Sequence, residues 1–187
     1  MSTAASVPQG KVGTWKIDPV HSAVEFKVKH MMISNVKGNF TKFSGTLTYD
    51  ESRPENSSAQ AVIEVGSIDT RDAQRDAHLK SAEFLDAEKF PTITFQSTSV
   101  KATGAGRGVL EGDLTVHGVT RKVVLNVEGP TEPGKDPWGN TRVGATATTK
   151  ISRKDFGLTW NAALETGGVL VGDEVTITLD MQFVQGA

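Results

Sequence analysis

The chain has 187 residues, 37% hydrophobic and 22% charged, with 20 Lys and Arg against 22 Asp and Glu, a formal net charge of −2. That balance, with no block of like charge, excludes the basic field on which nucleic-acid binding depends, and the length suits one all-β domain with a sizeable core. No cysteine is present, which removes disulfides, thiolate nucleophiles and zinc–sulfur sites and is compatible with either redox environment.

The opening MSTAASVPQG has neither a basic start nor an apolar stretch, so residues 1–13 read as a flexible leading segment and not as a secretory signal. No run approaches the length of a membrane-spanning helix. The expectation is a soluble cytoplasmic protein, periplasmic or secreted if a signal has been trimmed, with a single domain over residues 14–187. In the first clear strand Val24, Phe26 and Val28 share one face while Glu25, Lys27 and Lys29 share the other. His30 then falls on the apolar side, and Met31, Met32 and Ile33 follow with no polar break. Either both faces are buried there or the segment rims a cavity.

The same period of two, bounded by Gly, Pro, Asn and Asp, recurs in Val36–Phe43, Gly45–Tyr49 and Ala59–Ile68. A helix is predicted between Asp69 and Lys80, capped by Asp69 or Thr70, with a short turn from Ser81 ending before Pro91. Strands follow at Thr92–Val100, Val109–Val116, Arg121–Val127, Thr141–Ile151 and Glu174–Phe183. Lys101–Gly108 reads as a flexible loop, His117–Thr120 as a tight hairpin, and Gly129–Asn140 and Gly157–Gly172 as irregular connections.

Strands with one polar face are each solvated on one side, and about eight of them close into a barrel without leaving an edge. Inward registers carry large apolar residues but also Gly112, Ser97, Ala145 and Ala147, which predicts a partly underfilled interior. An empty apolar void of ~300 Å³ would cost about 7 kcal/mol, against a domain's whole stability of ~5–15 kcal/mol. Either phenylalanines close the interior or an apolar guest occupies it.

Seven segments, WKIDPVHSAVEFKVKHM, VKGNFTKFSG, RDAHLKSAEF, FPTITFQS, GDLTVHGVT, RKDFG and VGDEVTI, occur in this order from Thr14 to Phe183. Together they resemble the YceI-like family. The resemblance implies an extended eight-stranded antiparallel lipocalin-like barrel, with a short helical insertion near Arg71 to Phe90, around a long apolar tunnel. It implies a polyisoprenoid lipid in that tunnel, a polyprenyl phosphate or an isoprenoid quinone, held for carriage, storage or sequestration. No cofactor is expected beyond that bound lipid. An elongated ligand and barrel edges also make a homodimer a reasonable state.

Candidate tunnel residues are Phe26, Val28, His30, Met31, Met32, Ile33, Phe40, Phe43, Phe84, Phe90, Ile93, Phe95, Leu114, Ala145, Phe156 and Trp160. Thioether and aromatic side chains suit a flexible apolar guest, and Trp160 suits a mouth. Head-group candidates are Arg71, Arg75 and His78 on the helix and Arg153 beside a strand end, since arginine pairs with pyrophosphate or a quinone carbonyl. The competing reading of the helix is a solvated face, where Asp72 and Asp76 balance the arginines. The histidines show no metal-ligand spacing, and no nucleophile elbow, phosphate loop or dinucleotide fingerprint occurs. An enzyme acting on an isoprenoid or fatty substrate would use His30 with Asp72 or Arg153. A closed structural barrel would instead meet a protein partner through Gly129–Asn140.

Overall fold

The computed structural model describes residues 12–186. β1 (Val12–Ile17) and β2 (Ala23–His30) are halves of one long strand, interrupted where Asp18 caps a 3-10 turn at Pro19–His21. Pro19 has no N–H to offer a ladder, so the break falls there. β3 (Ser34–Phe40) returns antiparallel to β2 and leads into β4 (Phe43–Asp50), which pairs with β1. β5 (Ser58–Glu64) pairs with β4, and β6 (Ile68–Asp69) with β3, across a 3-10 turn at Val65–Ser67. The three interruptions lie side by side, because Phe40 is opposite both Val24 and Ile68 while Thr46 is opposite Lys16 and Phe43 opposite Ile63. Matched breaks let neighbouring strands bend together.

After α1 (Ala73–Lys80), β7 (Thr92–Gly104), β8 (Arg107–Val116) and β9 (Val119–Glu128) form a meander. The short β10 (Gly134–Lys135) leads to β11 (Thr141–Ser152), and β12 (Val171–Gln185) completes the sheet. One edge of β12 pairs with β11 from Glu174 to Val184, while the other pairs first with β2 and then with β1. The ring β1, β4, β5, β7, β8, β9, β11, β12 therefore closes as an eight-stranded antiparallel barrel, the architecture expected from the sequence.

Alternation sorts the residues as predicted. On β9, Val123 and Leu125 are buried between exposed Lys122, Val124 and Asn126. The main core gathers Val24, Phe40, Val65, Ile68, Leu85, Ile93, Leu114, Val116 and Phe156, while Trp15, Val143 and Phe183 form a second cluster under β1. The β8–β9 hairpin turns on His117 and Gly118 with φ of 54 and 70°, the pair of positive angles that a two-residue turn requires.

Several expectations are corrected. Lys101–Gly108 is no loop, since β7 runs to Gly104 and β8 starts at Arg107, with Lys101 opposite Val109. Asp72 caps α1 by accepting from the Arg75 backbone N–H at 2.9 Å, while Asp69 accepts from Arg71 N–H and the Thr70 hydroxyl accepts from the Arg75 side chain and donates to Asp76. Met31, Met32 and Ile33 form the tip of the β2–β3 hairpin, because His30 is already opposite Ser34. The alternation stops there because the chain turns, and the three side chains are 41, 57 and 78% exposed. Gly112 leaves no empty space, because the Phe95 ring covers it 2.5 Å from where a Cβ would stand. Of the leading segment, Val12 and Gly13 already pair with Asp50 and Tyr49, and residues 1–11 lie outside the described residues.

Candidate functional site

The barrel encloses a cavity of about 580 Å³. Each strand contributes its inward side chains: Val24, Phe26 and Val28 from β2, Ile93 and Phe95 from β7, Leu110 and Leu114 from β8, Val123 and Leu125 from β9. Ala145 and Ala147 on β11 line part of the wall beside Met181 and Leu179 on the adjoining β12, and their small side chains are what keeps that part open. At one end of the strands the cavity is closed by Ile68, Leu79, Phe84, Leu85, Phe156 and Leu158, most of them buried. At the other end Tyr49, Lys101, Gly104, Arg107, Pro130 and Glu132 frame a mouth, with Lys101, Arg107 and Glu132 exposed. Burial and the nearby carboxylates of Glu51, Glu132 and Asp50 push the Tyr49 phenol above its ordinary pKa.

Arg153 stands at the closed end, only 4% exposed. Its Nε donates to the Gly172 carbonyl at 2.8 Å, its Nη1 to Leu158 and Trp160 at 2.7 and 2.9 Å, and its Nη2 to Val171 at 3.3 Å. These carbonyls take four of the five guanidinium N–H groups. One N–H on Nη2 has no hydrogen-bond partner among the described residues. Burial lowers the Arg153 pKa and the charge of Asp173 opposes it, but an arginine stays protonated in either case. The same four bonds tie the Leu158–Gly172 connection to the barrel end, helped by Asn161, whose side chain pairs with both backbone groups of Val171.

Among the predicted tunnel residues, Phe26, Val28, Phe40, Phe43, Phe84, Ile93, Phe95, Leu114, Ala145 and Phe156 line the cavity. His30, Met31, Met32, Ile33, Phe90 and Trp160 are not part of that lining. His30 is at the root of the hairpin, and Phe90 packs against His117 at 4.9 Å between ring centroids and over Gly118. Trp160 stacks behind Phe84 and His78 at 5.1 and 4.8 Å, which puts it at the closed end and not at a mouth.

Of the head-group candidates, only Arg153 reaches the cavity. The Arg75 guanidinium folds back on Thr70, 2.8 Å from Oγ1 and 2.7 Å from the carbonyl. Arg71 is exposed at φ 64°, and His78 is bonded to Glu83. Of the polar pairs an enzyme would use, His30 with Asp72 or Arg153, only Arg153 lines the cavity; His30 is away from it, and Asp72 is engaged as the helix cap. Sequence reasoning missed Lys101, Arg107 and Tyr49 at the mouth. Lys101 and Arg107 fall within the segment read as a loop, and continued alternation through Val109 was the signal that could have found them.

Outside the barrel wall, Arg142 clamps two segments together. Its Nη1 donates to Asp18 at 2.6 Å and its Nε to Asp136 at 2.7 Å. Hydrogen bonds from His21 and Arg142 lower the Asp18 pKa to about 2. Arg142 and Asn140 hold Asp136 lower still.

A family model described as the YceI-like domain matches residues 15–183. A UPF0312 protein from Vibrio cholerae is 43% identical over 138 residues, 74% of this chain and 72% of the relative. The crystal structure of Burkholderia cenocepacia BcnA superposes with a TM-score of 0.76 at 25% identity, covering 89% of this chain and 98% of that one. A polyisoprenoid binding domain from Saccharophagus degradans shares the fold at a TM-score of 0.65 and 15% identity, covering 94 and 100% of the two chains. With nearly all of the barrel inside the family match and close kin among the UPF0312 proteins, the chain belongs to the YceI-like family.

Proposed function

We propose that the chain binds a long apolar isoprenoid lipid lengthwise in the barrel, for carriage, storage or sequestration. The observation that carries this reading is the cavity, about 580 Å³ and bounded mostly by hydrocarbon side chains between a polar mouth and Arg153. Its volume falls in the ~300–1,000 Å³ range of small-molecule sites. Left dry and empty, it would cost on the order of 14 kcal/mol at ~24 cal/mol per Å³, as much as a whole domain's ~5–15 kcal/mol. Water would find few of the roughly two to four polar partners each molecule needs. An apolar guest removes both costs, and the Saccharophagus degradans domain of the same fold, which binds a polyisoprenoid, supports the class of guest.

The polar end of the ligand follows from what Arg153 has left to give. One free N–H suits a single neutral acceptor such as a quinone carbonyl, whereas a phosphate buried there would keep most of its oxygens unpaired at a high desolvation cost. The preferred ligand is therefore an isoprenoid quinone with its ring toward Arg153 and its tail toward the mouth. Arg153 donates a hydrogen bond and does not exchange a proton, so the role is binding. The second reading, a polyprenyl phosphate in the reverse orientation, is favoured by Lys101 and Arg107, whose charges are exposed at the mouth.

Solvent extraction of the purified protein followed by mass spectrometry tests both. A stoichiometric quinone, reduced in amount by Ala145→Leu with Ala147→Leu, is the expected result. A phosphorylated polyprenol that is lost in Lys101→Ala with Arg107→Ala would select the second orientation. An empty protein that takes up neither class when offered it would refute the isoprenoid reading.

A further inference from the structure

The hairpin tip that does not line the cavity has the features of a second functional surface. Met31, Met32 and Ile33 are exposed in succession, and Val169 on the adjoining connection is exposed beside them. The two segments are fastened together: Met31 N–H donates to the Leu170 carbonyl at 2.8 Å, and Met32 packs over Gly168. Both methionines have positive φ, 52 and 62°, a conformation that residues other than glycine, asparagine and aspartate rarely adopt and that is retained where the surroundings impose it. The tip is thus a held, projecting apolar patch and not a frayed turn.

The hairpin behind it is cationic. Between Phe26 and Phe40 there is no Asp or Glu, while Lys27, Lys29 and Lys37 are exposed there, in a chain whose net charge is −2. Lys27 is opposite Lys37 on the exposed face of the hairpin, a like-charge pair that opposes strand pairing. The carboxylates nearest it are Glu165, exposed on the adjoining connection, and Asp173 and Glu174 in the β12 bulge beside Lys29, of which Glu174 is paired with Lys150 and Asp173 accepts from Ser152. The same hairpin reaches the ligand cavity, because Val28 and Val171, which flank His30, both line it.

We propose that the Met31–Ile33 tip, with Val169 beside it and the hairpin lysines behind it, seats the protein on an anionic lipid bilayer. Four apolar side chains are too few for a stable protein interface, which buries ~800 Å² per partner. A bilayer asks for less: a few apolar groups entering the headgroup region and cations near anionic lipid. The seat lies at the Arg153 end of the strands, opposite the mouth, so the proposal rests on the isoprenoid reading only in that an isoprenoid is membrane-resident, and its test does not depend on that reading.

Flotation with vesicles of phosphatidylglycerol and phosphatidylcholine, compared with phosphatidylcholine alone, tests the seat. Met31→Asn with Met32→Asn and Ile33→Ser removes the apolar tip while keeping a residue that accepts positive φ, and circular dichroism checks the fold. Lys29→Gln with Lys37→Gln removes charge alone. The expected result is wild-type binding to the anionic vesicles, weakened about tenfold by the tip variant, and weakened together with its salt dependence by the lysine variant. Wild-type protein that stays with neither vesicle, or a tip variant that floats as well as wild type, overturns the proposal. So does a dimer in sedimentation that the tip variant abolishes while vesicles remain unbound, because the occupant is then a second copy. Uptake of a short-chain isoprenoid quinone from detergent micelles is measured in parallel and is expected to be equal in all three proteins. Flotation without uptake would refute the isoprenoid reading and leave the bilayer seat standing, and uptake without flotation would do the reverse.

Discussion

Phe95 covers Gly112 on the neighbouring strand, and Phe26 covers Gly38 in the same way, so each glycine is a socket for an aromatic ring from the next strand. Gly112→Ala places a methyl group 2.5 Å from that ring and forces Phe95 into the cavity. It is expected to cost ~1–3 kcal/mol in urea unfolding and to lower the amount of extractable lipid. At Arg153 a different balance applies: Arg153→Met strands the carbonyls of Leu158, Trp160 and Gly172, while Val171 keeps its bond from Asn161. A loss of at least ~3 kcal/mol is expected in the same measurement, and Arg153→Lys recovers little of it, since an ammonium cannot reproduce the planar fork. Strand alternation was enough to find Phe26, Val28, Ile93, Phe95 and Leu114 as cavity wall. It failed at Met31–Ile33, because a short unbroken apolar run has no period and reads equally as a core strand or a protruding turn. It was silent on Arg75, whose partner Thr70 becomes apparent only when the backbone bends at Arg71.

The 3-10 turn at Pro19–His21 and the Asp136–Asn140 turn are separate elements joined by Arg142, and this joint makes stability depend on acid. A carboxyl with a lower pKa folded than unfolded contributes stability above its unfolded value and loses it as the pH falls through its folded value. For Asp18 that window runs from 3.8 down to about 2, and for Asp136 it extends lower. The thermal midpoint of the wild type should therefore fall across this window. Asp136→Asn should be less stable at neutral pH and show a flatter decline, as read by circular dichroism melts at a series of pH values. Strand positions were readable because most of them face water on one side and keep a period of two. The reach of β7 and β8 beyond Val100 and Val109 was not, because three glycines between Lys101 and Gly108 resemble a loop. The helix was placed correctly but its cap was not, since Asp69, Thr70 and Asp72 are equally good capping types and only the left-handed Arg71 decides among them.

The molecule as a whole is a wall around a space, so its stability should follow its contents. A guest bound by the folded state alone adds about 2.7 kcal/mol when its free concentration is a hundred times its Kd. Calorimetry before and after lipid removal should show a lower midpoint for the stripped protein, restored by adding the extracted lipid. In Ala145→Leu with Ala147→Leu, where the wall itself fills part of the space, the two midpoints should draw together. Barrel closure was foreseeable from the number of half-solvated strands, but the identity of the seam was not, because alternation within a strand carries no information about which strand is its neighbour. That seam sets a schedule for the newborn chain. β12 supplies the partner for β1, β2 and β11 together, so the earliest strand must wait, one edge unpaired, until the last has left the ribosome. Every strand made in between can join a growing open sheet, yet no closed interior exists to receive a guest before that final strand arrives. Loading is thereby confined to a chain in which β12 is already paired, and the interval before closure is when the chain is most exposed to edge-to-edge aggregation.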